Sequence, residues 1–148
     1  MPFVSSNYAS NANAPVGDWV CSPTVALGPF KTVPPDNVQK HPNYCGQCVS
    51  YVRQVCRTLP ATGQWKKGAL IKGNTSVAQG TVIATFDMNG DYFGHAAIFV
   101  NQEDDKGIHV YDQFVSGHSP QAISPRLLRW GAHGNSNNGD NFYVVEQK

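Results

Sequence analysis

Three residues placed in chain order have the side chains for nucleophilic chemistry: Cys48, His95 and Asp112. Cys48 lies in Tyr44-Cys45-Gly46-Gln47-Cys48-Val49-Ser50-Tyr51, at the head of a helical pattern. A cysteine in the first turn of a helix meets unpaired backbone N–H groups and the positive end of the helix dipole, and both favour thiolate. The same N–H groups can cradle an oxyanion. Gly46 keeps the approach to the helix free of side-chain obstruction. Taken alone, a cysteine on an apolar stripe is more often a small core residue. A nucleophilic thiol also needs a base. Among the five histidines (His41, His95, His109, His118 and His133), His95 starts an apolar strand after a glycine turn. Asp112 alternates with Ile108, Val110 and Phe114, where a carboxylate without a partner is costly.

These side chains must be held by particular elements. Cys45, Cys48, Val49, Val52, Val55, Cys56 and Leu59 form a 3.6-residue stripe. It predicts a helix over 45–59, opened by Pro42 and Asn43 and ended by Pro60. A short polar or amphipathic piece follows around 64–71. The remainder reads as strands over 81–86, 95–100, 108–115 and 142–145. Asn89-Gly90 marks a turn, 102–107 a polar loop and 131–141 a Gly/Asn-rich loop. If 95–101 and 108–115 pair with Asn101 opposite Ile108, then Ala97 opposes Asp112 and His95 is its diagonal neighbour. A slip of one residue would put the two on opposite faces. The shared face is expected to pack on the helix that carries Cys48. One helix before a mostly antiparallel sheet is an α+β fold.

Composition narrows the function classes. The chain has 148 residues, enough for one domain with a real core. Eleven basic and ten acidic residues leave a net charge of +1, which argues against a nucleic-acid partner. The longest apolar stretch, Ala96 to Val100, is far too short to insert in a membrane. Residues 1–17 carry no basic side chain and no sustained apolar block, so no leader peptide is expected and the chain reads as cytoplasmic in origin. Seven of the ten prolines fall at or before Pro42. An extended Pro-rich segment, 1–41, packed on a domain formed by 42–148 is therefore expected, with 1–14 frayed.

Gly46-Gln47-Cys48-Val49-Ser50-Tyr51-Val52 resembles the GQCTWYV-type signature of CHAP amidases, departing from it in the threonine–tryptophan region. Gly94-His95-Ala96-Ala97-Ile98-Phe99 resembles their GHVAIV-type strand. Gly80-Thr81-Val82-Ile83-Ala84 is similar to the strand before it, with Thr81 where an aspartate is usual. Tyr111-Asp112-Gln113 falls where those enzymes place a third, acidic or amide residue. The likeness spans roughly residues 42–115. It implies a papain-like NlpC/P60 fold with the nucleophile on an N-terminal helix. It implies a cysteine amidase that hydrolyses peptide bonds of bacterial peptidoglycan without metal or organic cofactor. Within that group the chain looks most like a type VI secretion amidase effector. This implies export by the secretion machinery, action in the periplasm of a target bacterium, and a cognate immunity protein that plugs the cleft. Carried over by residue, Cys48 is the nucleophile, His95 the base and Asp112 the orienting acid. Tyr44 and Gln47 are candidates for substrate or oxyanion contacts.

Three other readings compete. Cys45-Gly46-Gln47-Cys48 is a Cys-x-x-Cys, the form of a thiol-disulfide redox motif, although a proline-rich segment stands where a strand should precede it. Cys45, Cys48 and Cys56 with Cys21 or His41 could supply four zinc ligands, although a second ligand pair at zinc-site spacing is missing. A non-catalytic cell-wall-binding relative is the third. Cys45 and Cys56 are too far apart along one helix to bond, so a disulfide would join Cys21 to one of them in an oxidising compartment.

Overall fold

The computed structural model describes residues 2–35, 43–115 and 120–148. Pro42 as helix opener, the 41/42 division, and the candidates His41 and His118 lie outside the described residues. Of the stripe over 45–59, only Cys48–Val55 (α1) is helical. Gly46, at φ +88°, and Cys45, bonded through sulfur to Cys21, set the start. Cys56 leaves helical geometry at the other end, at φ −133° and ψ 86°. Val49, Val52 and Val55 give so short a helix little intrinsic drive, so packing decides its length. Every α1 residue except Arg53 is buried.

Trp19–Val20 (β1) and Phe30–Lys31 (β2) make a small antiparallel pair. The main sheet contains Trp65–Leu70 (β3), Val82–Phe86 (β4), Tyr92–Glu103 (β5), Gly107–Phe114 (β6), Gln121–Arg129 (β7) and Tyr143–Gln147 (β8). Its order is β3-β8-β4-β5-β6-β7, with each neighbouring pair antiparallel. One helix against a mostly antiparallel sheet is the α+β class the pattern predicts. Two strands differ from that reading. β3, the polar piece around 64–71, is an edge strand that buries Trp65 and exposes Lys66 and Lys67. β7 contains Pro125 and two arginines, a composition that only an edge position accommodates comfortably. β5 also runs longer than 95–100 in both directions, leaving only 104–106 between it and β6.

The β5–β6 register has two parts. Near the tip Glu103 pairs with Gly107 and Asn101 with His109, one residue away from the predicted Asn101–Ile108 pairing. A bulge then intervenes, and Phe99 pairs with Val110 and Ile98 with Tyr111. Continued one step, that register sets Ala97 beside Asp112 as predicted. Without the bulge the tip register would turn Asp112 to the opposite face from His95.

The sheet has a core on each face. Val49, Val52 and Val55 of α1 pack with Val82, Ala84, Ala96, Ile98 and Val145. Ile83, Ala97, Phe99, Ile108 and Val110 pack on the other face with Ile71, Leu128 and Phe142. By alternation His95 and Asp112 belong to the second face, so the expectation that their face packs on the helix is corrected. The expected fraying of 1–14 is corrected too. Val4 bridges Thr81, Val82 N–H donates to Phe3 O (2.8 Å), and buried Tyr8 packs edge-on against Tyr111 at 5.2 Å. Among the described residues no helix is long and apolar enough to cross a membrane.

Candidate active site

Cys48 is the first residue of α1 and only 8% exposed. The turn before it is tied from several sides. Gly46 N–H donates to Val20 O (2.9 Å). A Cβ at Gly46 would lie 2.3 Å from Val115 Cγ1, so glycine is needed for this close approach as well as for its positive φ. The Tyr44 carbonyl accepts from the Ser50 hydroxyl and from Gln47 N–H. Buried Gln113 exchanges two hydrogen bonds with the Val20 backbone, each 2.8 Å, and donates a third to Gln47 O (2.9 Å). Gln47 is the N-cap residue, and its side chain does not cap the helix. Tyr44 stands beside this turn, partly exposed.

His95 lies at an irregularity between β4 and β5. Ala84 pairs with Ala96 and Phe86 with Tyr92, so Thr85 alone faces Phe93, Gly94 and His95. The Thr85 hydroxyl replaces the missing ladder bonds. It accepts from His95 N–H (2.9 Å) and donates to the Phe93 carbonyl. Gly94 has φ +108°, and a Cβ there would lie 2.5 Å from that hydroxyl. Bulges of this kind re-aim side chains beside active sites. Here the ring is turned so that it reaches the sulfur at the head of α1 as well as β6. The Tyr92 hydroxyl lies 3.3 Å from the sulfur, and the His95 ring and Ala96 N–H are near enough to it to help lower the thiol.

His95 Nε2 and Asp112 Oδ2 are 2.7 Å apart, with His95 2% and Asp112 0% exposed. With Nε2 committed to the carboxylate, Nδ1 is the nitrogen left for the sulfur. Arg126, on β7, also binds the carboxylate: Nε to Oδ1 at 2.9 Å and Nη2 to Oδ2 at 2.6 Å. A buried carboxylate with an imidazole and a guanidinium is fully partnered.

These contacts decide the charges. Burial alone would push the Cys48 thiol up, but the His95 charge and the bonds from His95, Tyr92 and Ala96 outweigh it and hold the thiol below its ordinary value. Burial opposes charge on His95 as well, yet the Cys48 charge and the Asp112 bond raise it to about 9. Asp112 is also opposed by burial, and the bonds and charges of His95 and Arg126 hold it below the usual carboxylate range. Burial and the neighbouring sulfur keep Tyr92 neutral. These shifts favour a thiolate–imidazolium pair beside a carboxylate, a nucleophile with its proton carrier next to it.

The structure brings Cys48, His95 and Asp112 together, and Gln47 and Tyr44 lie in the turn that precedes Cys48. Sequence reasoning missed Thr85, Tyr92, Gln113 and Arg126. The signal for Arg126 was the buried carboxylate itself, whose charge one imidazole does not balance. The loop 131–141, read mainly as a solvent loop, borders the site: Ser136 O and Asn137 Oδ1 accept from Arg126. Cys45 is bonded to Cys21, one of the two pairings left open, and Cys48 and Cys56 are free. The redox and zinc readings therefore lose the thiols they require.

Comparison with known proteins adds a third kind of observation. A family model described as "Domesticated amidase effector 2" (Dae2) matches residues 31–145. A Salmonella typhi protein named "Type VI secretion amidase effector 2 protein" is 35% identical over 115 residues, covering 68% of this chain and 84% of its own. A solved structure titled "Type 6 secretion amidase effector 2 (Tae2)" aligns with a TM-score of 0.59 at 33% identity, over 69% of this chain and 81% of that one.

Proposed function

From the premise that the chain belongs to the domesticated amidase effector 2 family, we propose that Cys48 is its nucleophile, His95 its acid–base and Asp112 the residue that orients His95. The protein is a type VI secretion amidase effector, an enzyme that acts on peptidoglycan after export by the secretion machinery. The observation that carries the residue assignment is the unbroken contact chain from the sulfur through the imidazole to a carboxylate, buried at the head of a helix.

In the proposed reaction the Cys48 thiolate attacks an amide carbonyl carbon of the cell-wall peptide. The tetrahedral oxyanion is met by N–H groups at the start of α1, with the Gln47 side chain as a further donor. One such donor contributes roughly 3–4 kcal/mol in well-studied hydrolases. The C–N bond breaks as imidazolium delivers its proton to the leaving amine, leaving a thioester on Cys48. Water, giving one proton to His95, then attacks the thioester carbonyl; the C–S bond breaks, the carboxylic acid leaves, and the Cys48 thiolate is restored beside the imidazolium. Asp112 holds the ring in one tautomer throughout. No cofactor enters the scheme.

The finer reading is a papain-like NlpC/P60 and CHAP relationship, supported by the helix-borne cysteine and strand-borne histidine. Residues 42–148 form the proposed catalytic unit, with 1–41 as a segment braced on it. Synthesis in the cytoplasm, action in the periplasm of a target cell and neutralisation by a cleft-plugging immunity protein belong to the same proposal. Digestion of purified peptidoglycan, with the fragments identified by mass, tests it. Wild type should release fragments heavier by one water at the cut bond, and Cys48→Ala should release none. Cleavage by Cys48→Ala would overturn the assignment.

A further inference from the structure

Asp112 offers two oxygens, and the Arg126 fork binds both: Nε to Oδ1 at 2.9 Å, Nη2 to Oδ2 at 2.6 Å. Oδ2 also faces His95 Nε2 at 2.7 Å. A carboxylate held at both oxygens cannot rotate without losing a charge-assisted bond. The fork is anchored in turn. Nη1 donates to Asn137 Oδ1 at 2.9 Å, Nη2 to the Ser136 carbonyl, and the guanidinium lies 4.9 Å from the centre of the Phe114 ring. Phe114 also packs edge-on against the His95 ring at 6.1 Å. Arg126 is largely buried, its side chain 16% exposed.

We propose that Arg126 is a positioning residue: it locks the Asp112 carboxylate in the orientation that serves His95, while the turn beginning at Gly134 locks Arg126. The proposal rests on the reading of Cys48, His95 and Asp112 as the catalytic set. The other titratable groups facing Asp112 and His95 are Cys48 and Tyr51 from α1 and Tyr92 from β5; both tyrosines stay neutral because burial disfavours their ionised forms. The guanidinium favours the Asp112 anion, Asp112 supports the His95 imidazolium, and that charge lowers Cys48, so without Arg126 both Asp112 and Cys48 should titrate at higher pH.

The test combines turnover of soluble peptidoglycan fragments with the pH profile of Cys48 alkylation by iodoacetamide, read on the Cys48 peptide by mass. Arg126→Gln should lower kcat about 100-fold with little change in KM. Its acid limb of alkylation should move up by about one pH unit. Arg126→Lys keeps the charge without the fork, so its acid limb should stay while kcat falls about tenfold. Asn137→Ala should show a smaller loss of kcat with the limb unmoved. Wild-type kcat and acid limb in a folded Arg126→Gln would overturn the proposal. Should that variant not fold, wild-type kcat in Arg126→Lys would overturn it instead. Cys48→Ala is the control: its activity would remove the catalytic reading itself, whereas an inactive Cys48→Ala beside an unaffected Arg126→Gln removes only the positioning role.

Discussion

Cys48, His95 and Asp112 are each less than a tenth exposed, so their protonation is decided by one another more than by water. Thiolate attack needs Cys48 deprotonated and His95 protonated. Activity should rise as pH passes the lowered Cys48 value and fall as His95 loses its proton near its raised value of about 9. A bell-shaped kcat/KM profile with its alkaline limb near that value is expected, and steady-state kinetics across pH will show it. Asp112→Asn should cost about 10⁴-fold in kcat, because an amide can stabilise the wrong tautomer of the ring. These three residues were legible because few residue types can act as nucleophile, base and orienting acid, and each stands at the head of an element or on its apolar face. Arg126 itself was not legible, since it fell in a stretch with no strand pattern, where an arginine looks like any solvated charge; only buried Asp112 signalled that a cation was needed. Thr85 was hidden for a related reason: a threonine in a β-rich run signals only strand.

Elements reach this geometry through their defects. The β4–β5 irregularity turns His95 toward the sulfur, and the β5–β6 bulge restores the register that gives Asp112 the same face as His95. Gly94→Ala should strain the first, because its φ is positive and the new Cβ would meet Thr85 Oγ1 at 2.5 Å. A loss of about 1–3 kcal/mol in denaturant unfolding is expected, with activity falling further than stability explains. Thr85→Val keeps the shape but leaves His95 N–H without its acceptor, a cost of about 1–3 kcal/mol by the same measurement. Sequence periodicity located α1 and four strands, since burial of one face writes itself into residue alternation. It could not register bulges, which add residues without changing the apolar count. It also missed β3 and β7, whose lysines, proline and arginines suit sheet edges and mask the strand pattern.

In the whole molecule, the described part of the N-terminal segment makes contacts with the helix that carries the nucleophile through Val20 and Cys21. The Cys21–Cys45 bond, the Gln113 contacts with Val20 and Gln47, and the bond from Gln54 Nε2 to Cys21 O (2.8 Å) join it to α1 and β6. The small polar residues of 1–14 gave no hint of this, because pairing of Val4 with Thr81 and burial of Tyr8 depend on partners far along the chain. Closing a loop with a sequence separation of 24 should stabilise the fold by about 3 kcal/mol. Cys45→Ser should therefore lower Tm by on the order of 10 °C in calorimetry. It should retain cleavage of peptidoglycan at temperatures where it stays folded. A Cys45→Ser variant as inactive as Cys48→Ser, though folded, would instead favour a role for the two cysteines as a redox pair.

The sulfur at the head of α1 is ionised by the imidazole beside it. Alkylation of Cys48 by iodoacetamide, followed against pH in wild type and in His95→Asn, measures this without any substrate. The wild-type midpoint should lie below the ordinary thiol value of about 8.5, and that of the variant above it, where burial acts without the compensating charge. A wild-type midpoint at or above the ordinary value, unchanged by His95→Asn, would contradict it.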